Sequence, residues 1–244
     1  MGPFPDGVYR AQFPYYYRNP EGMPQEAALD YYLNSIKDVF EQCGPADSIA
    51  AIVVEPLQGE GGFIPAPIEW VKAVRKICDE NGILLVADEV QTGFCRTGRM
   101  FATQYWEEAG VQPDILATAK SIAAALKTIE IMERDDLAGR SCEIGEKVSK
   151  RFNEWKEKYP VIGDVRGLGG MIGLEFVKDQ KSKEPYPEFS AAVISGCAKK
   201  GLMIEGAGTY GNVIRFLAPL VMTDEQLEAG LDIYESVIKE LLEK

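Results

Sequence analysis

Histidine is absent from all 244 residues. Its absence excludes an imidazole base, a Ser-His-Asp triad, a Cys-His pair and a His-ligated zinc site within the chain. Cysteine is scarce and scattered: Cys43, Cys78, Cys95, Cys142 and Cys197 make an odd set with no CxxC spacing. That pattern speaks against a disulfide framework or zinc ribbon and for a reducing compartment. No window approaches the ~18 apolar residues of a membrane span. The Pro-, Gly- and Tyr-rich opening also lacks the apolar centre of a secretory leader, so the expected location is the cytoplasm. Basic residues are the minority, 26 against 38 acidic, for a net charge of −12. Such a surface repels nucleic-acid phosphates and anionic lipid, and neither is an expected partner. Chemistry is left to lysine, carboxylates, cysteine, tyrosine or a bound cofactor.

What remains is a globular chain, 46% hydrophobic, with enough apolar surface to offset its conformational entropy. Apolar residues at helical spacing (Ala28, Leu29, Tyr32, Leu33, Ile36, Val39, Phe40) predict a helix over 26–42. Ser48–Val54 reads as a strand ended by Glu55-Pro56. Pro67–Asn81 reads as a helix with Pro67 in its first turn and Gly82 at its end. ILLVA at 83–87 is a fully apolar strand stopped by Asp88-Glu89, and Asp114–Thr118 is a third strand running into Lys120. This alternation predicts a parallel sheet covered on both sides. After a helix over Ile122–Leu137 the character becomes α+β: helix 143–158, strand Met171–Val177, helix 188–200, strands near 202–204 and 213–217, and helix 224–242. The boundary between two domains falls in 126–140.

Ligands of an open parallel sheet sit beyond the carboxyl ends of its strands. Three consecutive strands here end in ionisable groups, namely Glu55, then Asp88 with Glu89, then Lys120. Polar residues also resume at ordinary strand ends, and a lysine there is commonly a solvated residue opening a helix. Held in an apolar site, a lysine instead loses proton affinity and can form a Schiff base. Gln58–Gly62 is a glycine-rich turn with no P-loop continuation. Arg166–Gly170 (RGLGG) precedes a strand, which rules out a dinucleotide fingerprint. Arg215, inside the apolar run Val213–Leu217, either snorkels or grips a carboxylate. A third grouping, Glu55, Glu60, Asp88 and Glu89, offers oxygen ligands for Mg²⁺ but leaves Lys120 and Arg215 unexplained.

Taken together, IAAIVVEPLQGEGGF (49–63), LVADEVQTGFCRTG (85–98), QPDILATAKSI (112–122) and GTYGNVIRF (208–216) resemble class III aminotransferases, nearest to 4-aminobutyrate aminotransferases. The resemblance implies a partial parallel-sheet, three-layer α/β large domain of the pyridoxal-phosphate type over 1–130. A smaller α+β domain over 131–244 follows it. Lys120 is similar to the lysine that holds pyridoxal 5'-phosphate as a Schiff base and shuttles the proton. Asp88 resembles the aspartate that keeps the pyridine nitrogen protonated, and Val90 and Gln91 match residues packing on the ring and contacting its hydroxyl. Arg215 resembles the arginine for the substrate α-carboxylate. Glu60 matches its glutamate partner when an ω-amino donor is bound, and Glu55 a glutamate near the substrate amine. The implied reaction moves an amino group to 2-oxoglutarate, in a homodimer or with a complementing chain.

Two departures accompany the resemblance. Family members carry a long portion before the counterpart of Met1, and AKSIAA runs directly into ALKTIEIMERDDL where they have an intervening segment. Both supply anchors for the cofactor phosphate, so a truncated chain with impaired catalysis is expected. The alternative is a non-catalytic remnant serving as a binding or dimerisation module. Cys95 also stands where glycine is usual.

Overall fold

A computed structural model describes residues 6–119 and 122–243. In chain order the elements are α1 (Gln25–Gln42), β1 (Ala51–Val54), β2 (Leu57–Gln58), β3 (Ile64–Pro65), α2 (Ile68–Asn81), β4 (Leu84–Asp88), α3 (Thr103–Glu108) and β5 (Ile115–Ala117). They continue as α4 (Ile122–Arg134), α5 (Leu137–Lys158), β6 (Ile162–Leu168), β7 (Met171–Phe176), α6 (Pro187–Lys199), β8 (Glu205–Ala207), β9 (Val213–Phe216) and α7 (Asp224–Leu242). The chain divides into two compact units.

The first unit comprises residues through Val54, Ala66–Asp88 and Tyr105–Ala117. Its sheet is parallel, ordered β1-β4-β5, with Val53 opposite Val86 and Val86 opposite Ile115. One face buries Val54, Leu85 and Ala87 against Ala28, Tyr32 and Ile36 of α1 and Trp70, Val71 and Val74 of α2. Burying each Val, Leu or Ile among these contributes about 1.5–3 kcal/mol. The opposite row stays open, with Val53 65%, Leu84 44% and Ile115 47% exposed. The expectation of helices on both faces is therefore met on one. The strands are apolar on both sides, but α1 and α2 pack on the same one. Asp114 pins the start of β5, accepting from Arg75 Nη1 and Leu85 N, each at 2.7 Å. These bonds, the Arg75 bond first, hold its carboxyl below the usual range.

Local chemistry sets several boundaries. The strand expected from Ser48 begins at Ala51, because Ser48 Oγ donates to Pro45 O at 2.7 Å and closes a 3₁₀ turn over Ala46–Ser48. Pro67 is the N-cap of α2 rather than its first helical residue, and Gly82 ends that helix left-handed at φ 67°.

The second unit comprises Glu55–Pro65, Glu89–Gln104 and the chain from Thr118 onward. Its antiparallel sheet runs β6-β7-β9-β8. Alternation along two strands explains its two faces. Ile172, Leu174, Phe176 and Ile214 join Phe152 and Trp155 of α5, Phe189 and Val193 of α6, and Leu231 and Tyr234 of α7 in one core. Met171 turns the other way, onto Leu57 and Phe63. The motif at 166–170 is the end of β6 and its turn into β7, a hairpin. The strand expected near 202–204 forms at 205–207 instead. Leu202 N still donates to Cys197 O at 2.9 Å, which keeps that stretch in the turn closing α6. α5 starts six residues before the expected 143, where Asp136 caps it by accepting from Gly139 N. α7 occupies the expected span, opened by a Thr223–Gln226 capping box. Among the described residues no helix is long and apolar enough to cross a membrane.

Candidate active site

β2 and β3 form a short hairpin around the glycine-rich turn, with Leu57 opposite Pro65 and Gln58 opposite Ile64. The turn closes through Gly62 N to Gly59 O at 3.1 Å, with Gly62 at φ 116°, a conformation that glycine adopts without strain. Glu55 Oε2 accepts from Gly59 N at 2.8 Å. A Cβ on Gly59 would lie 1.8 Å from Gln91 Oε1, so the missing side chain at 59 is the space Gln91 occupies. Gln91 Oε1 is buried there and has no hydrogen-bond donor among the described residues.

The turn is fastened to the antiparallel sheet. Gly208 N donates to Glu60 O at 2.9 Å, and Arg166 Nε donates to Gly62 O at 2.9 Å. Arg166 is held in turn by Asp164 at 2.9 Å and by the buried Glu175 at 2.7 Å. Asn212 Nδ2 also donates to Glu175. A buried carboxylate with these partners is satisfied rather than stranded.

Arg215 extends from β9. Its Nη1 donates to Glu60 Oε1, and its Nη2 donates to Glu205 Oε2 at 2.7 Å. The arginine side chain is 14% exposed, while the two carboxylates are 76% and 72% exposed. Burial pulls the guanidinium pKa down, but the two carboxylates outweigh it and the net shift is upward. Of the two possibilities left by the sequence, Arg215 grips carboxylates. Glu205 escaped the sequence reading, although it is a charge within the apolar GLMIEGA stretch and lies as far before Tyr210 as Arg215 lies after it. β8 and β9 pair about that point, so Glu205 and Arg215 are direct cross-strand partners. A cavity of about 340 Å³ between these strands and α7 has largely apolar walls, including Ile204, Phe216, Leu227 and Tyr234.

The remaining candidates are placed as follows. Asp88 is half-buried at the carboxyl end of β4, opposite Ala117. Val90 is 56% exposed. Lys120 lies outside the described residues. Glu89 is fully buried, accepting from Thr92 Oγ1 at 2.5 Å and from Thr103 N at 2.6 Å. With both Glu89 oxygens used in this way and Glu60 on Arg215, the Mg²⁺ grouping does not assemble. Among the described residues no three His, Cys, Asp or Glu side chains gather as a metal site.

Comparison with known proteins identifies the family. The family description Aminotransferase class-III matches residues 1–126 and 121–238. A probable 4-aminobutyrate aminotransferase of Bacillus subtilis is 38% identical over 274 aligned positions, covering 98% of this chain and 62% of that protein. A 5-aminovalerate aminotransferase of Pseudomonas putida is 39% identical over 276 positions, covering 99% and 62%. Among solved structures, an amine transaminase from an uncultivated Pseudomonas species, described in a PLP-bound form, superposes with a TM-score of 0.83 at 28% identity. That match covers 94% of this chain and 61% of that one. The chain thus spans about 62% of the length of these two relatives. The alignments are longer than the 244 residues, so the relatives hold residues within the aligned span that have no counterpart here. The family match itself divides at 121–126, just after Lys120.

Proposed function

The chain belongs to the class III aminotransferases, and we propose that it carries the substrate-gripping part of an amino-group transfer site. The reaction is transfer from an ω-amino acid such as 4-aminobutyrate to 2-oxoglutarate. The observation that carries this reading is the Arg215–Glu60 pair, an arginine poised on a carboxylate that can yield to a substrate. A 2-oxo acid presents a carboxylate to Arg215. An ω-amino donor has none next to its reacting carbon, and Glu60 then neutralises the guanidinium in its place. Glu55, tied to the same turn through Gly59, serves the substrate amine.

The residues present fit a pyridoxal phosphate ring. Asp88 offers a carboxylate for the pyridine nitrogen, Val90 an exposed apolar surface for the ring, and Gln91 a buried acceptor with no donor among the described residues. When bound, the cofactor supplies an electron sink for the carbon that loses its proton. Asp88 would keep the ring nitrogen protonated, and Lys120 would tether the cofactor and move the proton at the substrate's amine-bearing carbon. The division 1–130 and 131–244, a homodimer or complementing chain, and a cytoplasmic setting belong to the same reading.

One observation favours a second reading. The missing stretch of the aligned span supports a remnant that binds cofactor weakly and serves as a binding or dimerisation module. Loading purified protein with pyridoxal phosphate and adding 4-aminobutyrate, then 2-oxoglutarate, separates the two. Loss and return of the visible cofactor band, absent in Lys120→Ala, supports the transferase. A spectrum indifferent to both substrates supports the remnant.

A further inference from the structure

The β2–β3 hairpin does not hold Glu60 by itself. Its ladder has two residues on each side, and Pro65 has no N–H to contribute. Glu60 stands at the turn with its carboxylate 76% exposed. What fixes the turn lies outside the ladder: Glu55 Oε2 on Gly59 N, Gly208 N on Glu60 O, and Arg166 Nε on Gly62 O.

The Gly62 carbonyl lies against β7, where a Cβ on Gly173 would be 3.1 Å from its oxygen. A carbonyl enclosed in this way needs a donor, and Arg166 Nε supplies one at 2.9 Å. Gly62 leaves room for the guanidinium, since a Cβ at 62 would lie 3.0 Å from Arg166 Nη2. The guanidinium is itself held. Nη1 reaches Asp164 at 2.9 Å and Glu175 at 2.7 Å, and Lys156 stands 3.7 Å from Asp164. Arg166 is 10% exposed and Glu175 1%. Exchanging a buried ion pair for apolar side chains is commonly neutral or stabilising, so stability alone does not account for these charges. Their distinct contribution is a donor locked at one point, on the carbonyl two residues after Glu60. Glu175 steadies the other clamp as well. Asn212 Nδ2 donates to it at 3.3 Å and to Phe176 O at 2.6 Å, beside the turn that supplies Gly208 N.

We infer that Arg166, anchored by Glu175, is a positioning residue for Glu60: it pins the turn so that Glu60 returns to Arg215 when a ligand carboxylate leaves. Arg166 acts through the backbone of the turn. This rests on the reading of Glu60 as the carboxylate that neutralises Arg215 for an ω-amino donor.

The test compares Arg166→Met with the parent by amide hydrogen exchange, read on peptides from 56–65 and from α7. The turn amides exchange about tenfold faster in the variant, the scale of one lost hydrogen bond, and α7 is unchanged. With pyridoxal phosphate bound, loss of the cofactor band on adding 4-aminobutyrate slows about tenfold, while its return with 2-oxoglutarate keeps its rate. An unchanged turn overturns the proposal. So does exchange that rises equally in α7, or half-reactions that fall together, because a residue serving only stability gives those results. A parent that reacts with neither substrate overturns the amino-transfer reading instead, and exchange in the turn then decides the clamp. Should Arg166→Met leave Glu175 uncompensated and fail to fold, Arg166→Met combined with Glu175→Met removes both charges and is read in the same way. Loss of the fold in both makes Arg166 a structural residue and overturns the proposal.

Discussion

Gly59 and Gln91 occupy the same small volume: a methyl group on the first would stand 1.8 Å from Oε1 of the second. The glycine of the turn is thus the condition for Gln91's position, and the buried oxygen has no donor among the described residues. Gly59→Ala pushes aside the end of a flexible side chain rather than backbone, so it should shift stability by only about 1 kcal/mol. Pyridoxal phosphate affinity should nevertheless fall several-fold. Gln91→Ala should reproduce that loss, and the double variant should add nothing to it. Thermal unfolding and cofactor titration of the three proteins check this.

Glu235 on α7 sets an acid limit on the second unit. Burial raises its pKa, but Lys158, Tyr159, Lys239 and Arg151 more than reverse that and bring it down from 4.5 to about 2. A carboxyl depressed on folding stabilises above its unfolded pKa, and that contribution disappears as pH falls from about 5 toward 2. Glu235→Gln should therefore cost about 2 kcal/mol at neutral pH, with the difference from the parent vanishing near pH 2. Denaturant unfolding across that range measures it.

Thiol reactivity should follow burial. Desolvation raises Cys78 and Cys197 to about 11, in each case against the pull of a neighbouring cation, Arg75 or Lys200. Desolvation also leads the upward shift at Cys95. Cys43 is exposed. A disulfide reagent at pH 8 should label Cys43 first and reach Cys78, Cys95 and Cys197 only after unfolding, as peptide mass spectrometry would show.

Glu89 is a structural residue in this account. Its two oxygens satisfy Thr92 Oγ1 and the backbone N–H at the start of α3. Glu89→Ala leaves buried donors unpaired and should destabilise by about 2–4 kcal/mol. Added Mg²⁺ should leave the unfolding temperature of the parent unchanged. A rise of several degrees would revive the oxygen-ligand grouping of Glu55, Glu60, Asp88 and Glu89.

The sequence announced the long elements because their signals are local. α1, α2 and α7 carry apolar residues at helical spacing, with Gly82 and the Thr223–Gln226 box marking ends. What it hid depends on partners far along the chain. β6 contains Gly163 and Gly167, carries no strand alternation of its own, and is defined by its pairing with β7. The β2–β3 hairpin has only two residues on each side. The same distinction governs the site. Arg215 and Glu60 were legible through motif resemblance, whereas Glu205 depends on the β8–β9 register, which no helical or strand period encodes.

The location of the cofactor on the chain tests the role of Lys120. Purified protein is incubated with pyridoxal phosphate, reduced with borohydride, digested and analysed by mass spectrometry, beside Lys120→Ala. One saturable adduct is expected, on the peptide containing Lys120 and absent from the variant. Adducts scattered over exposed lysines, alike in both proteins, would contradict it.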